Sequence, residues 1–478
     1  ALEKEEPYKN SVGYSGRGQV PFEPRLCEQW FLKYPSVAES KACVADGRMR
    51  FHAERWAKVY DHWMGNIQDW CISRQLWWGH RVPVWYSRKN EGEIYCGIDA
   101  PADPENWDQD PDVLDTWFSS WLWPFATMGW PEKTETLAKF YPTTDLVTGP
   151  DIIFFWVARM IMAGFEYMGE LPFRNVYFTG IIRDKQGRKM SKSLGNSPDP
   201  LDLIANYGAD ALRFGVMRSA PLGADVIYDE KNVELGRNFC TKLWNAARFR
   251  QMQGGATEGE VNPALLTADD KWILLRLDAA IREVSLALDE YRFSDATAAL
   301  YRFFWSEFCD WYLEASKAAL NAGANQPADS FAGATAANTR AVMDFVLGHT
   351  LRLFHPFLPF ITEELWHGMG FHDDLPAEQG GRTIMTANWP KPFSNDEWQF
   401  FDLDPSADEF AQSRYEVVNA GRGLRRDFNI ASNKRVRFIL RARDELAEHD
   451  RSVIQILLNA EALEIAGREF EPAKGTPT

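Results

Sequence analysis

The stretch TDLVTGPDIIFFWVARMIMAGFEYMGELPFRNVYFTGII, residues 144–182, decides the fold class of this chain. It begins with a short strand pattern, continues with an apolar helical pattern that ends at Gly169, and closes with a β-branched and aromatic run. A strand, a helix and a second strand within about forty residues predict a βαβ unit with a parallel sheet. Ligands of such sheets bind at the carboxyl ends of the strands, so the segment after Ile182 is a candidate site.

The segment GRKMSKSLGN, residues 187–196, follows at that end of the second strand. It sets three basic residues between two glycines, namely Arg188, Lys189 and Lys192 between Gly187 and Gly195. One interpretation is a solvated basic loop, which is the usual fate of a short charge cluster. The other is a mobile, glycine-hinged loop whose ammonium groups meet phosphate. The glycine-rich patterns of P-loops and dinucleotide-binding folds do not occur in the sequence.

Composition narrows the class of protein further. The 478 residues are 45% hydrophobic and 14% aromatic, which is enough to build several cores. The net charge of −16 argues against a protein that coats nucleic acid through bulk charge, although local basic patches stay possible. The six cysteines form no C-x-x-C pair, so the sequence predicts no tightly bound metal and favours a reducing, cytoplasmic location. The first residues and the longest apolar run predict neither a signal peptide nor a membrane span.

The remaining sequence predicts further helices and loops. The segment SVAESKACVADG is a helix with a glycine stop, and tryptophans are dense between Tyr60 and Pro131, where most must be core. After the basic loop we expect two short helices, the second capped by Asp210. From about Asp404 the order helix, strand, helix, strand is expected.

A helical bundle is predicted from about Val233 to Gly370. Thr267 and Asp270 approximate a capping box at the start of one long helix. Residues 323–338 are predicted to be a flexible loop between helices. Two prolines, Pro356 and Pro359, should end one helix and start another.

Five residues of the basic loop carry a resemblance to a known family. They are Lys189, Met190, Ser191, Lys192 and Ser193, which match the KMSKS signature of class I aminoacyl-tRNA synthetases. Other stretches resemble the valyl-tRNA synthetases in particular, and these are residues 65–81, 112–120, 151–162, 208–214, 301–314 and 355–366. The resemblance therefore covers nearly the whole chain, with an isoleucyl-type synthetase as the alternative.

The resemblance implies a fold that is α/β plus all-α. It would be the C-terminal half of a Rossmann-like class I catalytic domain, followed by a helical-bundle anticodon-binding domain and a small α/β segment. The expected parts are a connector after the editing insertion at 1–58, the catalytic half at 59–225, the anticodon-binding domain at 226–400 and the α/β segment at 401–478.

The resemblance also implies an activity, that of a valine-tRNA ligase. Such an enzyme activates L-valine with ATP and Mg²⁺ and passes the valyl group to the terminal adenosine of tRNA(Val). Lys192 is then the catalytic ATP contact and Lys189 assists at the pyrophosphate. Further ATP-binding residues by this resemblance are Ser191, Asp151, Gly149 and Ile182. The expected protein is a monomer.

Selection of valine in the resembled family points to Trp117, Ile152 and Trp156 as the walls of a small apolar pocket. Ile152 and Trp156 are four residues apart, which places them on one face of a regular α-helix. Ordinary core packing is the alternative for each of the three. For Asp151, matched to a ribose contact, the alternative is a helix cap.

Basic residues near the end of the chain are candidates for tRNA binding, and these are Arg422, Arg425, Arg426 and Lys434, with Arg435 and Arg437 beside them. A module that binds tRNA without catalysis is the alternative function. A purely structural helical scaffold is a third reading, and it leaves the KMSKS match unexplained.

A HIGH-type motif does not occur in residues 1–478. The resembled family places that motif, followed by the editing domain, ahead of the segments matched here. The sequence is therefore expected to be a fragment without the HIGH half, most of the editing domain and the C-terminal coiled-coil arm, and inactive alone.

Overall fold

The computed structural model describes residues 4–15, 18, 20–23, 26–254, 260–371, 383–431, 433–442, 446–467 and 469–472, without the side chain of Ser193. The chain divides into two compact units, Ala1–Tyr177 and Phe178–Thr478. Each unit has a hydrophobic core of its own.

The first unit combines short strands with helices. Its strands are β1 Phe31–Leu32, β2 Arg50–His52, β3 Trp70–Cys71, β4 Ser73–Arg74, β5 Val84–Ser87, β6 Ile94–Cys96, β7 Trp107–Gln109, β8 Val113–Leu114, β9 Thr143–Thr148 and β10 Phe173–Phe178, the last of which ends at the unit boundary. Its helices are α1 Val37–Ala45, α2 Arg55–Gly65, α3 Thr116–Ser120, α4 Trp123–Ala126, α5 Glu135–Phe140 and α6 Ala158–Ala163.

The predicted strands before and after the apolar helix are confirmed, and they lie in a sheet of order β2-β10-β9. β10 runs parallel to β2, with Val176 opposite Phe51, and both side chains are buried. Because β2 lies in the segment expected to be a connector, residues 1–58 also contribute to the sheet. Three residues are too short a run for sequence patterns to identify as a strand.

The helix between β9 and β10 is confirmed but is not a regular α-helix. It starts as a 3-10 turn, Pro150–Ile152, continues as a π-helix, Ile153–Val157, and becomes α-helical only in α6. A second π-helical segment, Gly164–Met168, completes it, and Gly169 ends it in the left-handed conformation, as predicted. The expectation that Ile152 shares an α-helical face with Trp156 therefore loses its premise.

The tryptophan-rich segment is only partly core. Trp70, Trp85 and Trp121 are buried, as expected. Trp77 and Trp78 are fully exposed, because they lie in the irregular stretch between β4 and β5. The expectation that most of these tryptophans are core is therefore wrong, since three of the ten are buried.

The second unit is mostly helical. Its helices are α7 Pro200–Tyr207, α8 Ala209–Arg218, α9 Glu230–Met252, α10 Ala268–Asp289, α11 Phe293–Tyr301, the π-helix Arg302–Tyr312, α12 Leu313–Ala315, α13 Lys317–Gly323, α14 Phe331–Phe354, α15 Pro359–Gly368, α16 Asn395–Phe400, α17 Ser406–Asp427 and α18 Glu448–Leu457. Its strands are β11 Ile182–Arg183, β12 Val226–Ile227, β13 Val436–Arg441 and β14 Ala460–Ala466.

The predicted capping box at the start of α10 is confirmed. Asp270 is fully buried, where it accepts hydrogen bonds from the hydroxyls of Tyr312 at 2.7 Å and Thr339 at 3.1 Å. Burial raises the pKa of the Asp270 carboxyl, against the hydrogen bonds from Tyr312 and Thr267. A residue expected only to cap α10 thus also ties together three elements of the bundle.

Asp210 caps a different helix from the one predicted. Its carboxylate accepts the backbone N–H groups of Phe360 at 3.3 Å and Ile361 at 2.7 Å, in the first turn of α15. The residue before α8 is Gly208, and that helix has no side-chain cap. The prediction that Asp210 caps α8 is therefore wrong, because its carboxylate binds the start of α15.

The predicted loop at residues 323–338 is wrong for its second half. Helix α14 begins at Phe331, after Ser330 accepts the Gly333 N–H at 3.1 Å as an N-cap. The alanine-rich sequence favours a helix once that cap is made. The predicted boundaries at the two prolines are confirmed, since α14 ends at Phe354 and α15 begins at Pro359.

The last part of the chain has the predicted order of helix, strand, helix and strand. β13 and β14 pair in parallel, with Phe438 opposite Leu463, and α18 connects them. Among the described residues, no helix combines the length and apolar character needed to cross a membrane. Nowhere among the described residues does a cluster of His, Cys, Asp and Glu side chains have the geometry to hold a metal ion.

Candidate active site

The basic loop is a hairpin that extends from β11. The Met190 N–H donates to the Ile182 carbonyl at 3.1 Å, and Arg183 bridges Lys189 in antiparallel register. The turn closes at Gly187, whose φ of 78° favours glycine. The hairpin and the residues up to Asn196 are called the signature loop, residues 184–196.

Asp184 organises the first half of the signature loop. Its carboxylate accepts the backbone N–H groups of Gln186 at 3.0 Å and Arg188 at 2.9 Å. The Arg188 guanidinium also pairs with it, with Nε 2.8 Å from Oδ2. The hydrogen bond from Asn196, with those from Arg188 and Gln186, holds the pKa of Asp184 well below its usual range. Arg188 is therefore engaged in the turn and is not a third cation for a ligand.

Asn196 organises the second half. Its side-chain oxygen accepts the Ser191 N–H at 2.9 Å, and its amide nitrogen donates to Asp184 Oδ2 at 2.9 Å. Gly195, in the left-handed conformation with φ of 63°, turns the chain so that Asn196 reaches back. The two ends of the signature loop are thereby joined by side chains.

The two lysines of the KMSKS segment lie on the exposed side of this arrangement. Lys189 and Lys192 are both exposed, and Lys192 forms no ion pair with the residues that the structure describes. Ser191 precedes the 3-10 turn Lys192–Leu194 and caps it by accepting the Leu194 N–H at 3.3 Å. Two ammonium groups on a hydrogen-bonded scaffold can donate charge-assisted hydrogen bonds to a polyphosphate.

A cavity of about 410 Å³ lies beside the signature loop. Most of its lining is apolar and comes from the loop, α7, α8 and the segment after β12, including Ile181, Met190, Leu203, Leu212, Val216 and Tyr228. The Tyr228 hydroxyl is buried without a hydrogen-bond partner among the described residues. Burial, followed by nearby acidic groups, raises its pKa. An apolar lining does not suit phosphate.

The expected valine-pocket residues lie in the first unit, on α3 and on the irregular helix after β9. Trp117, on α3, stacks with Phe155 at a centroid distance of 6.0 Å and an interplanar angle of 25°. The Trp156 indole N–H donates to the Ser120 carbonyl at 2.9 Å, where α3 ends. These three aromatic residues, Trp117, Phe155 and Trp156, are called the aromatic wall.

Asp115 is the N-cap of α3 and holds Trp117 in place. It accepts the Trp117 N–H at 3.3 Å, the Trp70 indole N–H at 2.9 Å and the Arg74 guanidinium at 2.8 Å. With 6% of its surface exposed, the carboxylate is almost entirely enclosed. A buried charge of this kind is stable only when it is hydrogen-bonded and paired.

Arg159 is the buried cation next to this carboxylate. Its Nη1 lies 3.8 Å from Asp115 Oδ2, and its guanidinium lies 3.6 Å from the centre of the Trp70 ring. Its Nε donates to the Tyr34 hydroxyl at 3.1 Å. Burial raises the pKa of Tyr34, and the Arg159 charge opposes this shift.

The remaining residues expected near adenosine in the first unit are at the end of β9. Gly149 is the residue before the 3-10 turn and is in an extended conformation. Asp151 is exposed within that turn, and both interpretations of it, a ribose contact and a helix cap, stay predictions. Ile152 is half-buried at the end of the turn.

One of the expected tRNA-binding residues is corrected. Arg425 is 7% exposed, and its guanidinium donates to the carbonyls of Leu458, Ala431 and Lys434 at 3.3, 2.7 and 2.6 Å. These carbonyls occupy the donors that a phosphate would need. Arg425 therefore serves the fold, because it satisfies a carbonyl at the end of α18 and two in the loop between α17 and β13.

The other three remain at the surface. The Arg422 guanidinium donates to the Leu457 carbonyl at 3.2 Å and lies 4.8 Å from the Trp311 ring centre, so it is partly engaged. Arg426 is exposed over 81% of its side chain, and Lys434 is also exposed. Cations at these positions can meet a polyanion.

Asp184, Asn196 and Asp115 were missed by the sequence reading. Asn196 is the last residue of GRKMSKSLGN, and an asparagine side chain after a glycine often forms hydrogen bonds with the nearby backbone. Asp115 directly precedes an aromatic run, which is an N-cap signal. Both signals were present, but neither shows which distant groups the side chains also bind.

Comparison with known families decides the identity. The family model described as "tRNA synthetases class I (I, L, M and V)" matches residues 3–229, and "Anticodon-binding domain of tRNA ligase" matches residues 270–440. The chain belongs to the class I tRNA synthetases. The first match runs through the expected boundary at residue 58, and the domain limits given above stay predictions.

Curated relatives of this class I synthetase chain are valine–tRNA ligases. That of Bacillus licheniformis is 44% identical over 473 residues, which is 97% of this chain and 51% of the relative. That of Chlorobaculum tepidum is 44% identical over 460 residues, with 92% and 49% covered. The chain spans about half the length of the curated relatives it matches.

Solved structures agree with the class I synthetase fold. Mycobacterium tuberculosis methionyl-tRNA synthetase bound by methionyl-adenylate matches with a TM-score of 0.58 and 20% identity, covering 78% of this chain and 68% of that one. The Agrobacterium radiobacter K84 LeuRS-tRNA-LeuAMS complex matches with a TM-score of 0.53 and 20% identity, covering 70% and 43%. The predicted fold class is confirmed.

Proposed function

We propose that this chain is part of a valine-tRNA ligase that forms valyl adenylate and transfers the valyl group to tRNA(Val). The observation that carries the proposal is the exposed lysine pair, Lys189 and Lys192, on a preorganised hairpin in a chain 44% identical to valine–tRNA ligases. The protein is further proposed to be a cytoplasmic monomer.

In the activation step, a valine carboxylate oxygen bonds to the α-phosphorus of ATP while the α–β phosphoanhydride bond breaks and pyrophosphate leaves. Negative charge moves onto the pyrophosphate, which Mg²⁺ accompanies as part of the substrate. Lys192 and Lys189 donate hydrogen bonds to the pyrophosphate oxygens that carry this charge. Ser191 of the same motif is assigned to ATP binding, and Met190 and Ser193 complete the motif. Contacts that strengthen as charge develops lower the barrier, whereas equal binding of ground and transition states does not.

In the transfer step, a ribose hydroxyl of the terminal adenosine attacks the valyl carbonyl, and AMP leaves. The proposal assigns the walls of the valine pocket to Trp117, Ile152 and Trp156. Asp151, in the G-x-D pattern with Gly149, is assigned to the ribose of ATP, and Ile182 is assigned to ATP binding. The tRNA backbone is assigned to Arg422, Arg426 and Lys434.

A second candidate is a tRNA-binding module without catalysis. It is favoured by the anticodon-binding match over residues 270–440. Both candidates predict tRNA binding by the chain that weakens with salt, because lysine and arginine contacts to phosphate release counterions. Only the first predicts chemistry that depends on valine and on the lysine pair.

Exchange of labelled pyrophosphate into ATP distinguishes the two. It is measured on this chain and on a chimaera in which the chain replaces the matching segment of the Bacillus licheniformis relative. We expect valine-dependent exchange by the chimaera, and strong preference for valine over isoleucine. A folded chimaera that binds tRNA but shows no valine-dependent exchange contradicts the ligase proposal and leaves the binding module.

A further inference from the structure

The hydrogen-bonding capacity of Asn196 fits its two partners in only one orientation. Its carbonyl oxygen faces a donor, the Ser191 N–H, and its NH₂ group faces an acceptor, the Asp184 carboxylate, both at 2.9 Å. The same NH₂ group lies 3.4 Å from the Lys189 carbonyl. An asparagine is suited to this position because it carries a donor and an acceptor on one short planar group.

The side chains of Asp184 and Asn196 hold the backbone of the loop that lies between them. Within the KMSKS segment, Met190 is held by a backbone bond to β11, whereas the Ser191 N–H is held by the Asn196 side chain. Lys189 and Lys192 are exposed and Met190 and Ser191 are only half-buried, so packing contributes little to the conformation of the segment. A loop with few buried contacts takes its order from such side-chain to backbone bonds.

We propose that Asn196 and Asp184 are positioning residues that clamp the signature loop, so that Lys189 and Lys192 are presented in one conformation. The clamp consists of two hydrogen bonds: the Asn196 amide donates to the Asp184 carboxylate, and the Ser191 N–H donates to the Asn196 side-chain oxygen. This inference rests on the proposed function only in one respect, namely that Lys189 and Lys192 bind ATP. The clamp itself is a property of the chain.

Hydrogen exchange of single amides on the whole chain tests the clamp directly. Asn196→Ala should lower the protection of the Ser191 amide by about tenfold, the size expected for loss of one hydrogen bond. The Met190 amide, bonded to backbone, serves as an internal reference that changes less. The matched control is Asn245→Ala, because Asn245 is exposed on α9 and its side chain forms no hydrogen bond with the described residues.

A pH profile separates a clamp from a merely structural asparagine. Asn196→Asp keeps the acceptor for Ser191 but places a second carboxylate against Asp184. Two facing carboxylates raise the pKa of one of them. Protection of the Ser191 amide, corrected for intrinsic exchange, should therefore be lowest at neutral pH and recover toward pH 5, as a shared proton restores the bond. Asn196→Ala should show no such recovery.

In the part of the chain that the structure describes, the charged groups around the clamp are cations of the hairpin and their carboxylate partners. Arg188 pairs with Asp184 itself. Two neighbouring cations have carboxylate partners of their own, with Arg183 Nε 2.6 Å from Asp225 and Lys185 Nζ 3.6 Å from Asp229. The Lys189 backbone carbonyl lies 3.4 Å from the Asn196 amide nitrogen, and its ammonium group is exposed.

The inference is overturned if the Ser191 amide keeps its protection in Asn196→Ala, or if Asn196→Asp gives the same protection at both pH values. Equal loss at Ser191 and Met190 also overturns it, because that indicates general unfolding of the hairpin. In the chimaera, Asn196→Ala should lower kcat for pyrophosphate exchange more than it raises KM for ATP. If the unsubstituted chimaera shows no exchange, the proposed function fails while the amide measurements still decide the clamp.

Discussion

Asp184 and Asp115 hold two candidate sites in similar ways but in different surroundings. Each carboxylate is nearly enclosed, with 9% and 6% of the residue exposed, and each accepts several hydrogen bonds. Their arginine partners differ: the Arg188 side chain is 59% exposed, whereas that of Arg159 is 8% exposed and lies over Trp70. The signature loop is thus an ordered surface feature, whereas the aromatic wall, with Phe155 51% exposed, rests on a buried pair formed by Asp115 and Arg159.

The difference predicts how each region responds to substitution. A surface ion pair contributes little to stability, because water solvates both partners when it breaks. Breaking a buried pair leaves an unpaired charge in a medium that solvates it poorly. We therefore expect changes in the signature loop to alter chemistry with the fold intact, and changes near the aromatic wall to alter the fold as well.

The largest effect is expected for Asp115→Ala. The substitution leaves Arg159 buried without its carboxylate and removes the cap of α3, so it should lower the free energy of unfolding by about 3 to 5 kcal/mol. Urea denaturation followed by tryptophan fluorescence measures this, since Trp70 loses its hydrogen bond in the same variant.

Asp115→Asn is the matched control, because it keeps one acceptor and the side-chain size while removing the charge. Its unfolding midpoint should lie between those of the unsubstituted chain and Asp115→Ala. Equal midpoints for all three proteins contradict the view that this carboxylate holds the aromatic wall.

The next effect is expected for Lys192→Ala in the chimaera. Loss of one preorganised contact to developing charge costs on the order of 3 kcal/mol of activation barrier, which is roughly a hundredfold in kcat. The thermal midpoint should not change, since Lys192 is exposed. A variant whose only defect is a raised KM for ATP contradicts the assigned role.

A smaller effect is expected for Ile152→Ala, which tests whether the residue beside the aromatic wall selects the amino acid. If Ile152 lines the valine pocket, the kcat/KM ratio of valine to isoleucine should shift toward isoleucine, because one methylene is worth about 1 to 3 kcal/mol. Steady-state exchange kinetics with both amino acids measure the ratio.

Ordinary core packing makes the opposite forecast for the same variant. In that case the alanine lowers stability by about 2 to 5 kcal/mol and leaves the amino-acid preference unchanged. An unchanged ratio with a lowered melting temperature therefore removes Ile152 from the pocket. Because Ile152 is only half-buried, the stability loss should lie near the lower end of that range.

The same contrast explains what the sequence could and could not predict. Local patterns were sufficient for the strands and helix of residues 144–182, for the Thr267 and Asp270 cap, and for the breaks at the two prolines. Each of these depends on neighbours along the chain, so a short window of sequence contains the necessary information.

Polar side chains that act at a distance were the main failures. Asp210 was expected to cap its own helix, yet it binds the first turn of α15, and Arg425 was expected at the surface, yet it binds three carbonyls. A carboxylate or guanidinium shows which bonds it can make but not which partners the fold brings to it. For the same reason the KMSKS segment could be located from sequence, whereas its clamp could not.

The smallest effect is expected for Arg188→Ala, the loop counterpart of the buried Arg159. Its guanidinium pairs with Asp184 at 2.7 Å, but most of the side chain is in water, and the Asp184 carboxylate keeps two backbone N–H groups and the Asn196 amide. The substitution should therefore leave the unfolding midpoint within experimental error and change pyrophosphate exchange by the chimaera only slightly. The same measurement on Arg159→Ala is the matched control and should show a clear loss of stability, because Asp115 is then buried with one cation fewer. If Arg188→Ala destabilises the chain as strongly as Arg159→Ala does, the signature loop depends on its ion pair, and the distinction between a surface loop held by backbone bonds and a wall held by buried charge does not stand.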